Sequence, residues 1–447
     1  ADTIIVGNTV GAAAFTGVGL TGAVNFLVLG FVNGLTAGFS VKVAQAFGAN
    51  DEEKMRRAVG MSYLLCIVVA AAATAIAAPL TAPLLRLMQT PAAYYDYAYW
   101  YLLIIFCGIG ATVFYNIVAG LLRAVGDSRT PLVFLVLAAI LNVGLDFAFI
   151  VGFRWHYCGA AIATVLSQLI SGAACLVYAL CRYPALRPKR SDFRWDTRLA
   201  MGHFAVGLPM ALQFSITAIG CIVQQTALNG LDASYPGAVT AYTAASKIDN
   251  IANQAFAALG TAFATYAAQN YGAGEYGRIR RGVYVGMVYV LASAVIGFAF
   301  AVGLCEPLMK LFLNTDLSAD VADNYDAIIG YGRQYLLWQC AFYPFLGAIF
   351  VFRNTLQGIG KSAVTTFAGV TELAGRILAS LVFVRIWGFA GICSSNPVAW
   401  VAAVMFLVTT YIVVMRRQKK GEIPDGRTRS HRRRLRRSCR IAVRKAS

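Results

Sequence analysis

Charged residues are scarce in this chain. Only 13% of its 447 residues are Asp, Glu, Lys or Arg, whereas a soluble globular domain usually carries about 25%. Hydrophobic residues make up 59%, and the mean hydropathy is +0.64. These values exclude an ordinary soluble domain. Because a spanning helix needs about 20 apolar residues, the length predicts roughly a dozen spans and leaves no room for a large extramembrane domain.

Cysteine motifs for metal or redox chemistry are also missing. The ten cysteines are scattered, and no two have the Cys-x-x-Cys spacing of a zinc or redox site. We interpret them as small packing residues, and we predict that the protein is not an enzyme and uses no cofactor.

The excess of basic residues is local to the carboxyl-terminal tail. Lys and Arg number 38 against 20 Asp and Glu, but residues 416–447 alone hold 14 basic and 2 acidic residues. This tail has no apolar periodicity, so we expect it to be disordered and to contact anionic lipid headgroups. It lacks interleaved aromatic residues, and we therefore expect no nucleic-acid partner.

Apolar runs predict the spans. We expect the chain to begin inside a first, truncated helix that covers the apolar run Ala1 to Val10. Eleven more spans are predicted at about 17–47, 59–88, 95–122, 131–153, 158–181, 203–231, 238–271, 283–313, 326–353, 363–387 and 390–415. Pro344 predicts a kink in its span. The fold class is an all-α integral membrane protein of twelve transmembrane helices.

Loop charge predicts the orientation. Basic residues concentrate in alternate loops and in the linker that follows the sixth span, and such loops face the cytoplasm. Both termini should then be cytoplasmic. Apart from the linker, the basic residues of these alternate loops are Lys54, Arg56, Arg57, Arg123, Arg129, Arg278, Arg280, Arg281, Arg353 and Lys361.

The two halves of the chain repeat each other. The segment Ala44-Gln-Ala-Phe-Gly-Ala49 recurs as Ala268-Gln-Asn-Tyr-Gly-Ala273, and Leu122-Arg-Ala-Val-Gly-Asp-Ser128 recurs as Leu356-Gln-Gly-Ile-Gly-Lys-Ser362. Six spans per copy return the chain to the same side, so the copies should be parallel lobes with a substrate site between them. The predicted domains are an amino-terminal six-helix lobe at 1–182, a cytoplasmic linker at 183–202, a carboxyl-terminal six-helix lobe at 203–415 and the tail.

These blocks resemble the multidrug and toxic compound extrusion (MATE) family of secondary transporters. Further matching stretches are Asp2-Thr-Ile-Ile-Val-Gly7, Leu141-Asn-Val-Gly-Leu-Asp146 and Ala241-Tyr-Thr-Ala-Ala-Ser-Lys-Ile-Asp249. The resemblance covers the chain to about Met415. It implies a plasma-membrane antiporter, which we expect to be a monomer, that exports organic and often cationic compounds while protons or sodium ions flow inward.

The resemblance also implies a cation-coupling site in the amino-terminal lobe. Its residues would be Asp2, Asn142, Asp146 and Thr164, with Asn116 nearby, and Asp2 and Asp146 would bind a proton or Na⁺. Asn142 and Asp146 are four residues apart and share a helix face. A carboxylate within the bilayer is costly and therefore functional by default. The alternative is that Asp146 is an interface-proximal acid and Asp2 a helix-end charge.

The carboxyl-terminal lobe offers other charged residues. Glu372 and Arg376 have the i, i+4 spacing of an ion pair, which we interpret as a structural lock between helices. For Lys247 and Asp249 the functional and structural interpretations both stay open. Aromatic faces attract organic cations. The predicted substrate cavity is lined by Phe26, Asn33, Gln213, Tyr242 and Phe256.

Three alternatives to drug export stay open. A flippase for a lipid-linked or polysaccharide precursor would use the same duplicated frame, but would favour a markedly basic cavity. An ion channel would give flux that does not saturate. A membrane scaffold would need no buried Asp-Asn pair.

Overall fold

The computed structural model describes residues 5–6, 9–10, 12–88, 90–231, 234–312 and 325–419. Asp2 and the basic tail from residue 420 lie outside the described residues. Within these ranges the chain is helical and contains no strand. The helices are α1 Ala12–Leu20, α2 Gly22–Gly48, α3 Glu52–Leu87, α4 Ala92–Cys107, α5 Ile109–Ala124, α6 Arg129–Asp146, α7 His156–Arg182, α8 Thr197–Asn229, α9 Ala238–Gly272, α10 Tyr276–Gly303, α11 Cys305–Phe312, α12 Tyr325–Ala341, α13 Tyr343–Gly358, α14 Ser362–Leu378, α15 Val384–Trp387 and α16 Phe389–Lys419.

The helices have the length and composition of membrane spans. In the described part of the chain, eight are long and apolar enough to cross a bilayer, and up to ten if the bent pairs α4–α5 and α12–α13 each count as one span. Helix α9 is also long enough, at 35 residues, but Lys247, Asp249 and Asn253 make it more polar. The predicted all-α membrane fold is confirmed.

The chain divides into two compact units, Ala1–Ser215 and Ile216–Ser447, with the boundary inside α8. In the first unit α2 packs on α5, α5 on α7 and α6 on α7. In the second unit α9 packs on α13, α13 on α16 and α14 on α16. Each unit therefore builds its core from the same sequence of helix contacts.

The repeated segments form the same turns. After α5, Gly126 N donates to Arg123 O at 2.9 Å and Asp127 N donates to Leu122 O at 3.0 Å. After α13, Gly360 N donates to Gln357 O and Lys361 N to Leu356 O, both at 2.9 Å. Both glycines are left-handed, with φ of 95° and 82°, which is the geometry of a Schellman helix end. The sequence repeat is thus a repeat of backbone conformation.

Irregularities of the helices are repeated as well. Helices α4 and α5 meet at 46°, and α12 and α13 meet at 45°. The kink predicted at Pro344 is confirmed, since this proline lies in the first turn of α13. The bend in the first unit lies at Gly108 and has no proline, so the bend belongs to the repeated frame. A π-helical segment follows α6 at Phe147–Gly152, and another follows α14 at Ala379–Phe383.

Most basic residues assigned to loops lie in the end turns of helices, and Arg353 is buried as well. Arg353 is inside α13 and only 7% exposed. Its position is set by a buried carboxylate described below, so it gives no information on the orientation of the chain.

The shared turn geometry predicts the effect of Gly360→Ala. A side chain at a left-handed position costs roughly 1–2 kcal/mol, so we expect the free energy of unfolding in detergent to fall by about that amount. The control is Gly144→Ala, because Gly144 lies inside α6 and a Cβ there would meet no atom within 4 Å. Thermal unfolding followed by circular dichroism measures both. A Gly360→Ala protein as stable as the Gly144→Ala protein would contradict the assignment.

Candidate functional site

The first candidate site lies where α6 ends. Asp146 is the last residue of α6, immediately before the π-helical segment, and its exposed fraction is 0%. Asn142 lies one turn earlier on the same face. Its Nδ2 donates to Oγ1 of Thr164 on α7 at 3.2 Å. The structure therefore brings Asn142 and Thr164 into contact, with the buried carboxylate one helical turn away.

A second polar contact joins two residues that the sequence analysis assigned to different sites. Asn116 on α5 donates from Nδ2 to Oδ1 of Asn33 on α2, at 2.5 Å. Asn116 was expected near the coupling site and Asn33 in the substrate cavity. Asp2, the second predicted carboxylate, lies outside the described residues.

The chemistry of these side chains suits a proton or a hard monovalent cation. Asp146, Asn142 and Thr164 supply carboxylate, amide and hydroxyl oxygens, the donors that hard cations prefer. In the described part of the chain, no group of three or more His, Cys, Asp or Glu residues could hold a metal ion.

The second unit contains its own buried carboxylate. Asp249 on α9 is 5% exposed. It accepts hydrogen bonds from Oη of Tyr343 at 3.0 Å and from Nδ2 of Asn253 at 3.1 Å. Asn253 follows Asp249 by four residues and could have been found from the spacing. Tyr343 is 94 residues away along the chain, and no sequence pattern indicated it. Lys247 is exposed, whereas Asp249 is buried.

Glu372 is at the centre of a buried charge cluster. Its Oε1 lies 2.9 Å from Nη2 of Arg376, and its Oε2 lies 2.7 Å from Nη2 of Arg353. All three side chains are at most 8% exposed. Nε of Arg376 donates to Oδ1 of Asn396 at 3.2 Å, and its Nη1 donates to the carbonyl oxygen of Thr217 at 3.3 Å. The sequence indicated the pair of Glu372 and Arg376, but not the second arginine.

The internal repeat makes this cluster and the first candidate site equivalent positions of the two copies. An offset of 234 relates Leu122 to Leu356, and the same offset relates Asn142 to Arg376. The first copy thus has an amide that contacts a hydroxyl, while the second copy has a guanidinium with its own carboxylate. The two copies keep one backbone but differ in polar chemistry.

Four of the five predicted cavity residues are exposed or half-buried, and the fifth is buried in the core. Phe26 is 49% exposed, Asn33 is exposed, and Gln213 is half-buried. Tyr242 is also half-buried, and its ring lies edge-on to Tyr335 with 5.0 Å between centroids. Phe256 was placed wrongly on the cavity wall. It is 3% exposed and its ring packs against Tyr343 at 5.8 Å, so it belongs to the core of the second unit.

A duplicated helical frame with buried polar residues in its spans is the arrangement of many integral membrane transporters. The sequence pattern of the MatE family matches residues 1–148 and 209–382, and the chain belongs to this family of multidrug efflux transporters.

Individual relatives agree with this assignment. The chain is 29% identical to "Probable multidrug resistance protein YpnP" of Bacillus subtilis (strain 168), over 80% of this chain and 77% of that protein. It is 25% identical to the "FAD transporter" of Shewanella oneidensis, with the same coverage. The structure titled "Crystal structure of MATE in the bent conformation" has a TM-score of 0.83 at 22% identity and covers 94% of this chain and 91% of its own. That likeness concerns the fold.

The buried charge cluster predicts the effect of Glu372→Gln. Loss of the carboxylate would leave Arg353 and Arg376 buried without their counter-charge, which typically costs about 3–5 kcal/mol. We expect a large decrease in thermal stability in detergent. Glu306→Gln is the control, because Glu306 forms an exposed i, i+4 pair with Lys310, and exposed pairs contribute little. If both variants unfold at the same temperature, the cluster does not stabilise the second unit.

Proposed function

We propose that this protein is a cation-coupled antiporter that exports organic, often cationic, compounds, with the proton as the coupling ion. The observation that carries the proposal is the fully buried carboxylate of Asp146 beside the contact of Asn142 with Thr164. A charge at the bilayer centre costs from about 2.5 kcal/mol upward. A carboxyl in this position therefore favours the state in which a cation neutralises it.

Neutralisation of Asp146 supplies the coupling step. When a proton binds, the carboxylate becomes a carboxyl that can donate a hydrogen bond as well as accept one. The contacts between α6 and α7 around Asn142 and Thr164 change accordingly, and we propose that this change reverses which side of the membrane the substrate can reach. The membrane potential adds about 2.3 kcal/mol per charge per 100 mV.

We propose that the charge cluster around Glu372 in the second unit has a structural role. Arg376 occupies the repeat position of Asn142, and its partner Glu372 also contacts Arg353. A carboxylate held by two guanidinium groups at 2.7 and 2.9 Å is not available to a transported cation. Asp249 accepts hydrogen bonds from the neutral side chains of Tyr343 and Asn253, and it is the second carboxylate to test.

The remaining features follow the sequence predictions. We propose a monomer in the plasma membrane with both termini in the cytoplasm. The linker at 183–202 would be cytoplasmic and would separate lobes at 1–182 and 203–415. Asp2 would supply the second carboxylate of the coupling site, with Na⁺ as the alternative ion.

Transport in inverted membrane vesicles tests the function. A pH gradient and a sodium gradient are imposed separately, and uptake of a cationic fluorescent dye is followed. Flavin adenine dinucleotide is assayed beside the dye, because one relative is named an FAD transporter. We expect the pH gradient alone to drive uptake of the dye. Uptake driven by the sodium gradient alone would mean that the coupling ion is Na⁺ and not the proton. Dye uptake that depends on neither gradient would contradict antiport.

The Asp146→Asn variant tests the site. The amide cannot take up and release a proton in the neutral range, so we expect gradient-driven dye uptake to fall about tenfold or more, equivalent to at least about 1.4 kcal/mol. Asp96→Asn is the matched control, since Asp96 is an exposed acid in the same unit. Asp249→Asn is measured in parallel. Unchanged uptake by Asp146→Asn, with loss in Asp249→Asn, would move the coupling site to the second unit.

The flippase alternative is tested with the same vesicles. It needs basic groups that a phosphate can reach, but both arginines of the buried cluster contact Glu372. Turnover of a fluorescent lipid-linked phosphate, without dye uptake, would favour that alternative.

A further inference from the structure

An open cavity of about 440 Å³ lies against the linker in the first unit. This volume is in the usual range of ligand pockets, about 300–1,000 Å³. Its walls come from α3, from the end of α7 and from the linker, and they are almost entirely apolar. The lining residues are Tyr63, Leu176, Leu180, Arg187, Pro188 and Phe193.

The helix surfaces beside the cavity are those expected to face hydrocarbon. Ile67 lies one turn after Tyr63 on α3 and is 68% exposed. Val177 lies one turn before Leu180 on α7 and is 62% exposed. Large apolar side chains with this exposure in a spanning helix contact lipid tails. The cavity therefore lies next to the lipid-facing surface of the protein.

The linker that lines one side of the cavity is strongly basic. Every basic side chain between residues 182 and 198 is exposed. They are Arg182, Arg187, Lys189, Arg190, Arg194 and Arg198. Arg187 also lines the cavity, and its guanidinium donates to the carbonyl oxygens of Leu180 and Cys181 at the end of α7. Its charge is thereby fixed beside the apolar walls.

The two acidic residues of the linker offset only part of this charge. Asp192 is 8% exposed, accepts from the backbone N of Lys189 at 2.8 Å, and lies 3.7 Å from Nε of Arg56. Asp196 accepts from the backbone N of Arg198 at 2.9 Å and of Leu199 at 3.1 Å, at the start of α8. With these two carboxylates against six basic side chains, the linker keeps a net positive charge.

An apolar cavity beside a cationic linker matches a molecule with a hydrocarbon tail and an anionic head. We propose that this cavity binds an acyl chain of one anionic phospholipid, whose phosphate is held by Lys189, Arg190 and Arg194. Basic pockets between spans on the cytoplasmic side are known as headgroup sites. The exposed rings of Phe193 and Trp195, at 43% and 55%, suit the interface between headgroups and water. The bound lipid would fix the linker against α3 and α7.

Native mass spectrometry of the full chain in detergent tests the proposal. Phosphatidylglycerol is compared with phosphatidylcholine of the same acyl chains, and with glycerol phosphate, which has the charge but no chain. We expect one phosphatidylglycerol to bind about tenfold more tightly than phosphatidylcholine, and glycerol phosphate not to compete with it. Equal affinity for the two lipids, or competition by glycerol phosphate, would overturn the proposal.

Two sets of variants separate the head site from the tail site. Lys189→Gln/Arg190→Gln/Arg194→Gln removes the charge near the cavity, and Arg278→Gln/Arg281→Gln/Lys361→Gln removes the same charge from exposed positions of the second unit. We expect only the first set to weaken phosphatidylglycerol binding, by about a hundredfold, because three basic side chains are lost at roughly 1 kcal/mol each. An equal loss in both sets would mean a diffuse surface effect and would overturn the site.

The tail site is tested by filling the cavity. Leu180→Trp should weaken binding of phosphatidylglycerol about tenfold, while Leu180→Met keeps the volume and should bind as the wild type does. Leu176→Phe is a smaller filling variant to use if Leu180→Trp does not fold. Unchanged binding by a folded cavity-filling variant would overturn the acyl-chain assignment.

Discussion

The high cost of charge in a hydrocarbon solvent determines where this protein places its polar residues. Within the described spans, the deeply buried charged groups lie with polar or charged neighbours. Glu372 contacts two arginines, and Asp249 accepts from Tyr343 and Asn253. Asp146 is buried one turn from the contact between Asn142 and Thr164. Of these acids, Glu372 is held in ion pairs with Arg353 and Arg376.

Duplication supplied two equal frames, and the polar residues then diverged. Both copies keep the left-handed helix ends at Gly126 and Gly360, the bends of about 45° and the π-helical segments. A π-helical turn inside a spanning helix frequently marks a functional site. In the first copy this turn follows a buried aspartate, whereas in the second copy the nearby position holds an arginine in an ion pair. We propose that the first copy offers an acid that a cation can neutralise and that the second copy holds a structural ion pair.

The sequence predicted the spans well because hydropathy reports contact with lipid directly. It also predicted the face shared by Asn142 and Asp146 and the pair of Glu372 with Arg376, since both depend on the helical period alone. The sequence could not predict contacts between helices that are distant along the chain. Arg353 looked like a loop residue from its place at the end of an apolar run, and Tyr343 and Asn33 gave no local signal for their partners. Phe256 was misplaced because an aromatic ring in a core and one on a cavity wall have the same sequence pattern.

The most direct test of the coupling role of Asp146 is infrared difference spectroscopy of the full chain in lipid, recorded as the pH is raised through the neutral range and again as sodium is added. The proposed mechanism predicts a carboxyl band that disappears as the proton leaves or as sodium replaces it, and that is missing from Asp146→Asn. Identical difference spectra for the wild type and Asp146→Asn would contradict the assignment of Asp146 as the group that carries the coupling ion.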